Sequence, residues 1–162
     1  MVDPAFAALG ELAPEVTEET APFWDGLAAG ELRMEHCPAC GSYQHPAESF
    51  CYACGSLAVE WETVRGHGEV YSFIVVHQPY HAAFRDRLPY VVATVQLDEG
   101  PRMLGPIFDI DPSAVWIGMR VQPRIEAVSA ERSALFFEPE QTGLRPDPSE
   151  DAAPAGGSVS AS

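Results

Sequence analysis

All four cysteines of the chain fall between positions 37 and 54, as two Cys-x-x-Cys pairs. They read Cys37-Pro38-Ala39-Cys40-Gly41 and Cys51-Tyr52-Ala53-Cys54-Gly55, with ten residues from Gly41 to Phe50 between them. A Cys-x-x-Cys turn points both sulfurs into one concave space. A glycine after the second cysteine accepts positive φ and turns backbone N–H groups toward the thiolates. Two such knuckles make a four-thiolate tetrahedral site, the donor set of structural zinc. Cys37, Cys40, Cys51 and Cys54 are therefore the expected ligands. Four protein ligands leave no open position, so the ion serves structure and not chemistry.

Other uses of the cysteines fit less well. Two disulfides need an oxidising compartment, and Met1 to Ala13 has neither a basic n-region nor a sustained apolar run. A redox Cys-x-x-Cys occurs once, in a βαβ context. Iron in a rubredoxin-like site would use the same four ligands and stays open as the alternative.

Net charge is −15, from 24 acids against nine bases, which disfavours a polyanionic partner. All nine bases are arginine, and seven lie between Arg65 and Arg132. No stretch approaches a membrane span, and a cytoplasmic location without membrane association is expected.

The pattern along the chain predicts a mainly β protein. Residues 1–19 read as a loosely held arm in which Phe6, Leu9 and Leu12 have the means to dock. A helix follows, capped by Thr20, with Pro22 in its first turn and Gly30 at its end. Phe23, Trp24, Leu27 and Ala28 would share one face. Strands at 31–35 and 59–64 flank the knuckles and complete a ribbon (with the helix, residues 20–64) too small to fold without its metal. Residues 65–139 then turn to period two. Strands are predicted at 69–77, 90–97, 102–108, 119–128 and 134–137, with a short helix opened by Asp111 and Pro112. Five strands with a helix between the third and fourth follow the order of an OB-fold barrel. Residues 140–162, rich in Pro, Gly, Ser, Ala and acids, read as a disordered tail.

These residues resemble a known family. A Phe-Trp helix ends in Ala-Gly-Glu-Leu, and the two knuckles follow. Then come Gly66-x-Gly68-x-Val70-Tyr71-Ser72 and Pro89-Tyr90-Val91-Val92-x-x-Val95-x-Leu97-x-Glu99-Gly100. Over residues 22–139 the combination is similar to the zinc-ribbon plus OB-fold proteins called domain of unknown function thirty-five. The resemblance implies a rubredoxin-like ribbon, an OB barrel, and a role beside thiolase-fold enzymes acting on acyl-CoA thioesters. These partners include thiolases and the lipid-transfer-protein-like aldolases that remove sterol side chains. Some members are fused to a hot-dog-fold hydratase, which makes such a hydratase a further candidate partner.

No nucleophile–base pair or phosphate loop stands out. His36 adjoins the first ligand, but four thiolates already suffice, and His45 reads as a polar cap in the knuckle loop. The expected functional edge is the Gln78–Pro89 loop. There His77, Tyr80, His81, Phe84, Arg85 and Arg87 gather aromatic rings and guanidinium groups suited to a partner surface or a CoA thioester. The plain reading of that loop is an exposed connection; that of Phe23 and Trp24 is a local core contact, against the sharper reading of an interface anchor. The expected function is that of a non-catalytic accessory subunit supporting carbon–carbon cleavage on an acyl-CoA thioester, with retro-aldol cleavage of a steroid side chain foremost. The alternatives are a thiolase accessory subunit and, from another class, a nucleic-acid-binding ribbon and barrel.

Overall fold

A period-two pattern closes on itself in the C-terminal half of the computed structural model, which describes residues 4–12 and 14–140. The strands there are β4 (Gly68–Val76), β5 (Tyr90–Leu97), β6 (Arg102–Ile107), β7 (Arg120–Ala127) and β8 (Ser133–Pro139). They form a closed barrel in the order β4-β5-β6-β8-β7. Alternation is clearest in β5, where Val91, Ala93, Val95 and Leu97 are buried and Val92, Thr94 and Gln96 between them are not. β4 meets β5 along its length, with an irregularity between Val70 and Ser72. Closure between β6 and β8 rests on one parallel pair, Ile107 with Phe137. Gly105 allows it, because a Cβ there would run into the Phe137 ring.

The ribbon is a three-stranded sheet ordered β2-β1-β3, from β1 (Leu32–His36), β2 (Tyr43–Gln44) and β3 (Glu60–Val64). The predicted strand boundaries shift by one or two residues, and the inter-knuckle segment, expected as pure loop, contains β2. The predicted helix is α2 (Ala21–Ala28). Thr20 stands at its start without capping it: its backbone is helical, and its hydroxyl pairs with Thr17 instead. Leu27 is buried and Phe23 and Trp24 half-buried, whereas Ala28, expected on the same face, is exposed.

Ribbon, helix and barrel share one apolar core, in which Leu27, Leu32 and Met34 join Val70, Val95 and Val121. The linker between them is held from the barrel side. Glu99, in the β5–β6 turn, accepts hydrogen bonds on Oε1 from the Arg65 and Gly66 amides at 3.1 and 3.0 Å.

The expected loose arm is a correction. Residues 4–12 form α1 (Pro4–Ala7) and a 3₁₀ turn (Ala8–Leu12) that dock on the barrel. Phe6 and Leu9 join a second core with Tyr90, Phe108, Val128 and Phe136, while Leu12 stays outside. Phe6 lies 5.0 Å from the Phe136 ring, with the Arg87 and Arg124 guanidiniums 4.5 and 5.3 Å from its centroid. The pocket is built from distant strands, so no local pattern announces it. Of the predicted tail, 140–162, only Glu140 is described, and its amide donates to the Arg120 carbonyl at 3.0 Å; the rest lies outside the described residues.

Candidate metal centre and docking edge

The two knuckles repeat the same backbone construction. Gly41 donates to the Cys37 carbonyl and Gly55 to that of Cys51, each at 2.8 Å. Cys37 N–H donates to Ser42 at 2.9 Å, and Cys51 N–H to Ser56 at 2.8 Å. Both glycines sit at φ +74°, where an L side chain would be strained. The four Sγ atoms converge within 4.8 Å of one another. Cys37–Cys54 and Cys40–Cys51 separations are 3.7 and 3.6 Å. Zinc–thiolate bonds in tetrahedral geometry put sulfurs about 3.8 Å apart, so the cysteines are positioned to bind a metal.

Their protonation points the same way. The Ser42 hydroxyl, 3.3 Å from Cys40 Sγ, together with the Ser42 amide brings the Cys40 thiol down to about 6. The Ser56 amide favours a Cys54 thiolate too. The neighbouring thiols and burial outweigh it and push that thiol up to about 12. Four sulfurs this close cannot all be anions unless a cation joins them, and a divalent ion reverses the balance.

A buried polar network braces the knuckles. Glu35 Oε2 accepts from Gln44 Nε2 at 2.7 Å and from the Glu48 amide at 2.9 Å. Gln44 Nε2 also reaches the Phe50 carbonyl, and Gln44 Oε1 accepts from the Tyr52 amide, both at 3.0 Å. Sequence reasoning missed Glu35 and Gln44, because single polar residues on short strands read as solvent-facing. His36 Nδ1 lies 2.9 Å from Glu62, without the alignment of a hydrogen bond. His45, expected as a polar cap, packs its ring 5.6 Å from Phe23, and burial holds its imidazole below the usual range. Phe23 and Trp24 meet edge to face at 5.2 Å and pack against the shared core.

The Gln78–Pro89 loop carries a 3₁₀ turn, Ala82–Arg87, which the sequence did not foretell. His81 caps it, Nδ1 accepting from the Ala83 amide at 3.3 Å. The six candidates there separate. Phe84 stacks on Tyr90 at 5.2 Å, and Arg87 turns inward, its guanidinium 4.4 Å from the Phe108 centroid. His77, Tyr80, His81 and Arg85 remain exposed. Between the loop and the end of β6 runs a cleft of about 620 Å³, lined by Arg87, Tyr90, Phe108 and Asp109.

A four-cysteine ribbon packed on a five-stranded barrel defines a zinc-ribbon OB-fold protein. Two family models match in tandem: the rubredoxin-like zinc ribbon domain of ChsH2 over residues 24–60, and the C-terminal OB-fold domain of ChsH2 over 61–126. The chain belongs to this ChsH2-type family, also called DUF35. It is 39% identical over 111 residues to the 3-oxo-4,17-pregnadiene-20-carboxyl-CoA hydratase alpha subunit of Mycobacterium tuberculosis, covering 68% of this chain and 35% of that one. It spans about a third of the length of the hydratase alpha subunits it matches. A DUF35 domain-containing scaffold protein of Methanothermobacter thermautotrophicus is 35% identical over 92 residues, 56% of this chain and 68% of that one. Among solved structures, a chain of the Ltp2-ChsH2(DUF35) aldolase superposes with TM-score 0.71 at 34% identity, covering 78% of this chain and 98% of that one. Among the described residues no helix is long and apolar enough to cross a membrane.

Proposed function

We propose that this chain is a zinc-containing, non-catalytic accessory subunit of a thiolase-fold enzyme that cleaves a carbon–carbon bond in an acyl-CoA thioester. Retro-aldol cleavage of a steroid side chain is the reaction we assign to the complex. The observation that carries the reading is the near-complete coverage of the Ltp2-ChsH2(DUF35) aldolase chain by ribbon and barrel together. The steroid-CoA name of the mycobacterial relative supports the substrate class. Cys37, Cys40, Cys51 and Cys54 hold zinc, which clips the ribbon into a rigid platform. Tyr80, His81, Arg85 and His77 present the edge that meets the partner and lies nearest its CoA thioester. Phe23 and Trp24 support this platform from within the core.

The scaffold name of the Methanothermobacter relative supports an accessory role without naming a partner, and the second reading takes a β-ketoacyl-CoA thiolase as that partner. One experiment tests both. The chain is co-purified with a thiolase-like protein encoded beside it, complex mass is read by light scattering, and acyl-CoA turnover is assayed with and without this chain. A mixed complex whose activity depends on the chain is expected, and its products separate aldolase from thiolase. A lone monomer beside a fully active partner overturns the assignment.

A further inference from the structure

The four sulfurs that converge between the knuckles are not equally shielded. Cys37 and Cys51, the first cysteine of each knuckle, are 2% and 1% exposed. Cys40 and Cys54, the second of each, are exposed. The close sulfur pairs cross from one knuckle to the other. Cys40 Sγ lies 3.6 Å from Cys51 Sγ, and Cys54 Sγ 3.7 Å from Cys37 Sγ. Each pair therefore joins an exposed cysteine to a buried one. An accessible thiolate beside a second sulfur is the arrangement of a redox-sensing cysteine and its resolving partner.

The knuckles match in backbone but differ in their serines. Ser42 and Ser56 each accept a cysteine amide on the main-chain carbonyl. The Ser42 hydroxyl lies 3.3 Å from Cys40 Sγ. The Ser56 hydroxyl instead accepts from the Ala58 amide at 3.1 Å. A hydroxyl beside the sulfur can donate to a peroxide oxygen as the O–O bond breaks. Cys40 is therefore the better placed of the two exposed cysteines. Loss of the metal clip matters beyond the knuckles. Leu32 and Met34 of β1 lie in the core shared with the barrel, and a ribbon this small depends on its clip for order.

We propose, on the zinc reading above, that the knuckles are a peroxide-sensitive release in which Cys40 is oxidised first and Cys51 closes a disulfide on it. The Cys40 thiolate attacks hydrogen peroxide. The O–O bond breaks, hydroxide leaves, and Cys40 becomes a sulfenic acid. The Cys51 thiolate then attacks the Cys40 sulfur. The S–S bond forms, the S–O bond breaks, and a second hydroxide leaves. Two thiolates have given two electrons to one peroxide. Cys37 and Cys54 remain, half of a tetrahedral donor set, and release the ion. A dithiol reverses the bridge by exchange.

The test uses the full chain, with zinc content measured before any oxidant is added. A chain without zinc defeats the metal reading, and the Cys40–Cys51 bridge is then still read on the bare thiols. A small excess of hydrogen peroxide is expected to pass the bound zinc to a chromophoric chelator. The protein mass should fall by about 2 Da, for the two hydrogens lost from the thiols. Amide exchange should quicken in β1 to β3, and dithiothreitol with added zinc should restore the parent. Peptide mapping at partial oxidation should place the bridge at Cys40–Cys51. Neither serine hydroxyl is a ligand, so Ser42→Ala and Ser56→Ala keep the four cysteines. Release should slow about threefold or more in Ser42→Ala, the effect of one hydrogen bond, and match the parent in Ser56→Ala. Zinc held through peroxide, sulfinic acids in place of a disulfide, or a bridge within one knuckle overturns the proposal. Equal release from the two serine variants does the same.

Discussion

At the scale of single residues, the four converging cysteines and the half-buried His45 carry the sharpest consequences. Cys37 is a buried sulfur in the first knuckle, and its loss leaves three thiolates and a hydroxyl where four thiolates converge. Metal binding supplies roughly 10–16 kcal/mol of ordering in comparable small zinc modules. Cys37→Ser is therefore expected to lose its stoichiometric zinc and the dispersed amide resonances of the ribbon; full metal content by mass spectrometry would remove Cys37 from the ligand set. His45 makes a pH prediction. Burial holds its imidazole low, so the folded chain keeps it neutral while the unfolded chain takes up a proton below about pH 6.5. The unfolded state then binds more protons, and stability falls as pH drops from about 6.5 toward the depressed folded value. His45→Phe keeps a ring against Phe23 and removes this proton. Between about pH 7.5 and 5.5 the variant should lose less stability than the parent in denaturant titrations. Equal losses would show that the imidazole is not held neutral.

At the scale of elements, what was legible followed the range of the forces involved. The convergence of the four cysteines was readable because Cys-x-x-Cys-Gly is a local turn whose chemistry sits in five consecutive residues. The barrel strands were readable because a half-buried strand writes its burial into period two, as β5 does across Val91, Ala93, Val95 and Leu97. The arm was misread because Phe6 finds its partners just past the end of β6, on β8 and in the β4–β5 loop, none of them near in sequence. Phe6→Ala should cost about 3 kcal/mol, the lower end for emptying a buried aromatic site; an unchanged denaturation midpoint would restore the loose arm. The ribbon–barrel linker was likewise hidden. Gly66 sits at φ +67°, and a Cβ there would collide with Leu32 of β1. Left-handed backbone costs an L residue roughly 1–2 kcal/mol, and overpacking adds about 1–3. Gly66→Ala should therefore destabilise by at least about 2 kcal/mol in the same titration. A neutral result would mean that the junction yields, and that the shared core does not fix the ribbon on the barrel.

At the scale of the whole molecule, a shared core and a divided surface assign different duties to aromatic residues that look alike in the sequence. Trp24, on α2, is half-buried against the core that ribbon and barrel share. Tyr80 stands 84% exposed on the β4–β5 loop. Both were candidates to face a partner, and burial predicts opposite failures. Trp24→Ala should lose about 3 kcal/mol of stability and weaken partner binding only through the unfolded fraction. Tyr80→Ala should leave the denaturation midpoint within about 0.5 kcal/mol, as surface substitutions do. If the loop is the docking edge, it should still weaken the complex at least tenfold, about 1.4 kcal/mol, because exposed aromatics that become buried on binding are common energetic anchors. Paired thermal melts and titrations against the thiolase-like partner separate the cases. A Tyr80→Ala chain that binds as tightly as the parent would move the interface off this loop.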